Sequence, residues 1–211
     1  MLTRLATLAI VFATTFATTF TTASAGRFAT APTRASVRAA LVKHRAHNLA
    51  SLHRYVTTGV YPHNTYRTGP LNVWRDDDGH LCAAATIISL DHHPDLVAET
   101  AKTNVNLRLL DVTSGPLLDW MLTSGLTLEE IDRIQEPGFM PDRPTEQAYR
   151  REDAKLRRDY TATEAFLKRH AAADLEEATT RLMARPDLAR TLVSQASQGV
   201  STPLDGGAEW K

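Results

Sequence analysis

The chain has 211 residues and a mass of 23.3 kDa, enough for one domain with an appended helical arm. Hydrophobic residues make up 43% and charged residues 23%, which excludes a disordered or fibrous chain. Lys+Arg and Asp+Glu both number 24, so no excess positive charge is present to grip phosphates, and nucleic acid is not an expected partner. A single cysteine rules out an intrachain disulfide framework and a Cys-only zinc site.

The first segment reads as a signal peptide, 1–25. Arg4 precedes the uncharged stretch Leu5–Phe20, and Ala23-Ser24-Ala25 is the small-x-small pattern of a cleavage site. Thr14, Thr15, Thr18 and Thr19 interrupt the apolar stretch, which falls short of the roughly 20 apolar residues of a membrane span. The mature chain is expected to start at Gly26, in the periplasm or outside the cell, with no membrane attachment. A small-residue leader, 26–35, follows.

Ser36 to Thr58 reads as a helix with Val37, Leu41, Leu49, Leu52, Tyr55 and Val56 mainly on one face, stopped by Gly59. Tyr61–Pro70 reads as a loop, and Leu71–Arg75 as a short strand. Asp76-Asp77-Asp78-Gly79 fits a tight hairpin turn. His80–Leu90 is ambiguous: its alanines favour helix and Thr86-Ile87-Ile88 favours strand. Helices are expected from Pro94 to Thr103, from Pro116 to Thr123, and from a Thr127/Glu130 capping box to Gln135. Val105–Val112 reads as a short helix or strand. After Pro144 charges alternate at helical spacing over Thr145–Tyr160 and Ala162–Ala184, and Asp187–Gln198 reads as a last helix. The fold class is mainly α with one short β-hairpin. A helical core domain, 36–138, is expected to carry a charged helical extension, 139–198, and a polar tail, 199–211. Trp74, Trp120, Leu126 and Ile131 are expected to share the core.

Chemistry concentrates in two stretches, Tyr61-Pro62-His63-Asn64 and Gly79-His80-Leu81-Cys82-Ala83. A thiol at a helix N-terminus has a lowered pKa, an imidazole activates it, and an amide orients the imidazole. Cys82, His63 and Asn64 are therefore the candidate catalytic residues; the competing reading makes Cys82 core and His63-Asn64 loop-forming. His63, His80, His92 and His93 supply ligands for zinc or copper. His44 and His47 share a helix face. Asp76–Asp78 is not a calcium loop, because Ala85 would stand at the bidentate acid position. No cofactor is expected. The charged stretch Arg150–Arg169 reads as a solvated face, with a protein partner as the functional alternative.

Several ordered blocks resemble an uncharacterised family of secreted bacterial proteins. They are Tyr61-Pro62-His63-Asn64, Val73-Trp74-Arg75-Asp76, Asp78-Gly79-His80-Leu81-Cys82-Ala83, Trp120, and Gly125-Leu126-Thr127-Leu128-Glu129-Glu130-Ile131 with Ile134-Gln135. The resemblance covers roughly Leu52–Gly138 and implies architecture and compartment, not an activity. The chain departs from the pattern at Ala85, where a glycine is usual, and at Glu136, which separates Gln135 from Pro137. Two functions remain in view: a structural or interaction domain with Cys82 buried, and a thiol-dependent enzyme or redox protein using Cys82 with His63. Metal binding is a third.

Overall fold

The structure is a computed structural model, and it describes residues 31–198. The expected signal peptide, the first part of the leader (26–30) and the tail (199–211) lie outside them. Helix α1 is Arg34–Thr58. It begins two residues before the expected start because Thr33 and Ser36 form a reciprocal capping box. Gly59 ends it at φ +67°, its N–H on the Tyr55 carbonyl. A long loop leads to strand β1, Gly69–Leu71. The Asp76–Gly79 turn is present, but its flanks make only the single bridge Arg75↔Leu81. The sheet is instead β1 paired antiparallel with β2, Gly138–Met140, in the register Pro70↔Phe139. The local hairpin does not extend because Trp74 N–H turns to the Val105 carbonyl.

The ambiguous segment resolves as helix α2, Ala83–Leu90, with Cys82 as its N-cap. Then come α3 (Pro94–Thr103), a 3-10 turn (Leu109–Asp111), α4 (Pro116–Thr123) and α5 (Leu128–Ile134). The two charged stretches form one helix, α6, Glu146–Met183. No Gly or Pro lies between its ends, so nothing in the sequence breaks it. Helix α7 is Pro186–Ser197. Among the described residues no helix is long and apolar enough to cross a membrane.

Helix α6 runs antiparallel to α1. Arg34 bonds Glu176, Arg45 reaches the Leu167 carbonyl, and His53 meets Glu164. The larger core lies between these two helices, α2 and α5; it holds Leu52, Trp74, Ile87, Ile88, Trp120, Leu126 and Ile131 together with Leu156, Tyr160 and Leu167 of α6. The four residues expected to share a core do so. The charged extension thus contributes apolar side chains to the same core as residues 36–138. A second cluster joins Val37 and Leu41 of α1 to Leu175 and Leu182 of α6 and Leu192 of α7.

Candidate functional site

The loop between α1 and α2 is organised by two side chains. Asn64, 1% exposed, uses its whole amide: Nδ2 donates to the Arg67 and Gly69 carbonyls, and Oδ1 accepts from the Tyr66 and Arg67 N–H groups. Asp76 is also buried. Its Oδ1 accepts from the N–H groups of Asp78 and His80, and its Oδ2 accepts from His63 N–H and pairs with His80 Nδ1. These bonds fasten the His63 stretch onto the Asp76 turn, which explains why the two blocks need an Asn and an Asp where they stand.

Cys82 lies where this loop enters α2. Its sulfur is the helix cap, accepting from Ala85 N–H at 3.4 Å. The side chain is 4% exposed, in the same core as Tyr55, Tyr61 and Tyr160. Those three rings pack against each other with centroids 5.3–5.8 Å apart. Burial pushes the thiol up to about 11; the N–H groups of the first turn oppose this and lose. The helix terminus therefore leaves Cys82 a neutral thiol near pH 7. His63 faces elsewhere: its ring stacks on Tyr149 at 4.5 Å, and Nε2 meets Asp153 Oδ1 of α6 at 3.1 Å. Among the described residues no imidazole hydrogen-bonds the sulfur. The structure thus brings His63 and Asn64 to one loop, and gives Cys82, His63 and Asn64 separate partners.

The four histidines considered as ligands divide into two groups. His63 and His80 belong to the Asp76 loop. His92 and His93 lie at the α2–α3 turn, where His92 stacks on His47 of α1. His47 is twelve residues before Gly59, about 18 Å along the helix at 1.5 Å per residue. One set among the described residues, Asp76, Asp78 and His80, holds its donor atoms within 4.8 Å. Asp76 spends both oxygens on the loop's own donors, so the set offers a cation little.

Two features escaped the sequence reading. The first is a buried ionic clamp where α1, α5 and α6 meet. Arg45 is 2% exposed and Glu130 fully buried. The Arg45 guanidinium donates to both Glu130 oxygens and to the Gly125 and Leu167 carbonyls. Glu130 also accepts Thr127 N–H, closing the capping box. Asn48, one turn on, donates to the Ser124 carbonyl, and Arg181 of α6 to the Leu126 carbonyl. Gly125, at φ +76°, lies against α1, where a Cβ would overlap the Leu41 carbonyl and stand 2.9 Å from Arg45 Cβ. Burial pushes Glu130 up, but the bonds from Arg45, Asp174 and Thr127 outweigh it and hold the carboxyl below the usual range. Asp174 goes the other way, to about 7, through burial, its hydrogen bond to Glu130 and that group's charge. The signal was available: Arg45 stands four residues from both Leu41 and Leu49, inside the apolar stripe.

The second feature is an open groove of about 740 Å³ between β1, the 3-10 turn and α5, lined in part by Arg67, Asn72, Arg108, Asp111, Asp132 and Arg133. Its wall is held by side-chain hydrogen bonds to backbone. Gln135 Oε1 accepts Leu109 N–H, and Gln135 Nε2 and Trp74 Nε1 both donate to the Leu107 carbonyl. Asn106 donates to the Asn72 carbonyl. Arg133 also covers the Phe166 ring of α6 at 4.0 Å. No family model matches the chain, and neither does a curated protein or a solved structure.

Proposed function

We propose that the protein is an exported interaction domain that binds an extended, charged segment of a partner protein in the groove between β1, the 3-10 turn and α5. The observation that carries this is the fixed wall of the groove. Trp74 and Gln135 hold the Leu107–Leu109 backbone through side-chain hydrogen bonds, and Asn106 of that same segment ties it to the Asn72 carbonyl. A wall held this way spends little ordering entropy on a ligand. Arginines and acids on the rim match a peptide of mixed charge. The groove's charges pair locally, Arg108 with Asp132 and Arg133 with Glu129, as Arg150, Lys155 and Lys168 pair with Glu146, Asp159 and Glu164 on α6. The buried, neutral thiol of Cys82 supports a non-catalytic reading over a thiol enzyme. Export rests on Leu5–Phe20 and Ala23-Ser24-Ala25 alone.

The experiment selects peptides from a displayed library on the mature chain, whose start at Gly26 is checked by N-terminal sequencing. Selected peptides are expected to lose binding to the Arg108→Glu/Arg133→Glu double variant and to keep it with Arg150→Glu. Peptides indifferent to the double variant, or an empty selection, would reject the groove.

A further inference from the structure

The groove does not end at Arg133. A second open hollow of about 470 Å³ adjoins it between α5 and α6, and Arg133 and Glu136 line both. The α6 side of this hollow is one helix face: Asp159, Ala162, Phe166 and Arg169 follow each other at intervals of three or four residues, the spacing that aligns side chains along a helix. Phe166 packs against the larger core, carries the Arg133 guanidinium 4.0 Å above its ring, and meets the His170 ring with centroids 4.1 Å apart. Four arginines among the described residues line the two hollows. Arg108 pairs with Asp132, and Arg133 with Glu129. The acids of the α6 hollow, Glu136 and Asp159, both face Lys155, at 3.4 and 2.8 Å. Arg67, just before β1, and Arg169, on α6, are exposed and form no ion pair among the described residues.

We infer that the partner segment continues past Arg133 onto α6 and sets an aspartate or glutamate side chain against Arg169. This rests on the groove as the binding site, and adds where the segment runs and what chemistry it carries there. Arg108 and Arg133 already have carboxylates beside them, so an acid of the segment that meets either one only exchanges one partner for another. At Arg169 it gains a charge-assisted pair without breaking one, and the guanidinium fork matches a carboxylate with two parallel N–H groups. Continuity favours this path, because Arg133 and Glu136 belong to both hollows. Ala162 and Thr163 are small and leave room for an extended backbone beside Phe166. The hollow is open and does not enclose a chain end, so the carboxylate is that of a side chain and the segment needs no free terminus. An exposed pair of this kind adds modest affinity, and its main effects are selection of the segment and steering of the encounter.

The test uses peptides from the displayed-library selection, sorted first by loss of binding to Arg108→Glu, since Arg108 lines the groove and not the α6 hollow. Their affinities for the mature chain are then read by fluorescence anisotropy. Arg169→Glu should weaken them about tenfold, through a lost pair and a new like-charge contact, and Arg169→Lys should keep most of the affinity. Replacing one particular acid of the peptide by lysine should weaken binding to the parent and restore it to Arg169→Glu. The loss in Arg169→Glu should shrink as salt is raised. Arg54→Glu, an equal charge change at an exposed position on α1, should bind as the parent does. Groove-bound peptides indifferent to Arg169→Glu, or weakened by it with no rescue by any charge swap, overturn the inference and leave the groove standing. Loss of binding on amidating the peptide's C-terminus would assign the carboxylate to a chain end and overturn it too. Failure to find any peptide sensitive to Arg108→Glu removes the groove, and this inference with it.

Discussion

Cys82 shows how one side chain can carry chemistry in sequence and architecture in space. The residue pattern around it fits a nucleophile, yet burial among Tyr55, Tyr61 and Tyr160 outweighs the helix terminus and pushes the thiol up to about 11. Iodoacetamide should therefore leave the native protein unlabelled at neutral pH and label it only on unfolding, with His63→Ala making no difference. Fast labelling of the native chain would overturn this placement. Burial of a given thiol depends on what the distant chain packs over it, and Tyr160 lies 78 positions away, so the sequence near Cys82 held no sign of it. Capping, in contrast, is local, and Thr127 with Glu130 was legible from four residues. Asn64 and Asp76 fall between these cases: their types announced loop-forming roles, but their bonding partners did not.

Helices α1, α5 and α6 are joined by the Arg45–Glu130 pair, and its removal should act on all three at once. Glu130→Ala leaves a buried guanidinium without its partner, and an urea melt should show a loss of about 3–5 kcal/mol. Replacing both, as Arg45→Met/Glu130→Leu, should recover most of it, because two desolvated charges are then exchanged for apolar contact. A double variant no better than the single would mean that the bonds to the Gly125 and Leu167 carbonyls carry the stability. Asp174 adds a pH dependence. Its folded value is raised from 3.8 to about 7, so the folded state holds a proton that the unfolded state has released. Stability from this group is greatest below about pH 4 and is lost as pH rises through about 7. His44 acts oppositely, since burial, assisted by His47 and His93 against Asp91, lowers it, and its contribution is lost as pH falls below 6.5. Glu130, lowered from 4.5, matters only at still lower pH. The comparison to make is parent against Asp174→Asn across pH 5–8: the variant should gain relative stability as pH rises, and a pH-independent difference would refute the raised Asp174 carboxyl. Element type was mostly legible here, because α6 lacks any breaker and α4 begins at a proline. The β1–β2 pairing was not, since it joins positions about 70 residues apart and three-residue strands leave almost no pattern.

On the scale of the whole molecule, two apolar clusters share α1 and α6 but divide the rest. Ending the chain before Pro186 removes Ala189 and Leu192 from the second cluster alone. That truncation should lower the melting temperature while near-ultraviolet dichroism from Trp74 and Trp120 persists. Ending it at Met140 also removes Leu156, Tyr160 and Leu167 from the larger core, and the product should show no cooperative melt. A folded fragment ending at Met140 would make residues 36–138 an autonomous domain, as their sequence alone suggests. Composition did indicate a mainly helical protein with these apolar anchors; the charged appearance of α6 hid the face it turns inward.

The antiparallel pairing of α1 with α6 has a consequence in time. The bonds that join the two helices link residues 111 to 142 positions apart, so the first helix of the described chain waits for the last long one. A ribosome adds about 5–20 residues per second, which keeps the apolar face of α1 without its native partner for several seconds after it emerges. If the chain is exported as proposed, through a channel that takes an open thread, that interval is an advantage. A fold whose opening segment could close on its neighbours would block its own passage, whereas this one cannot complete its core until α6 has been made.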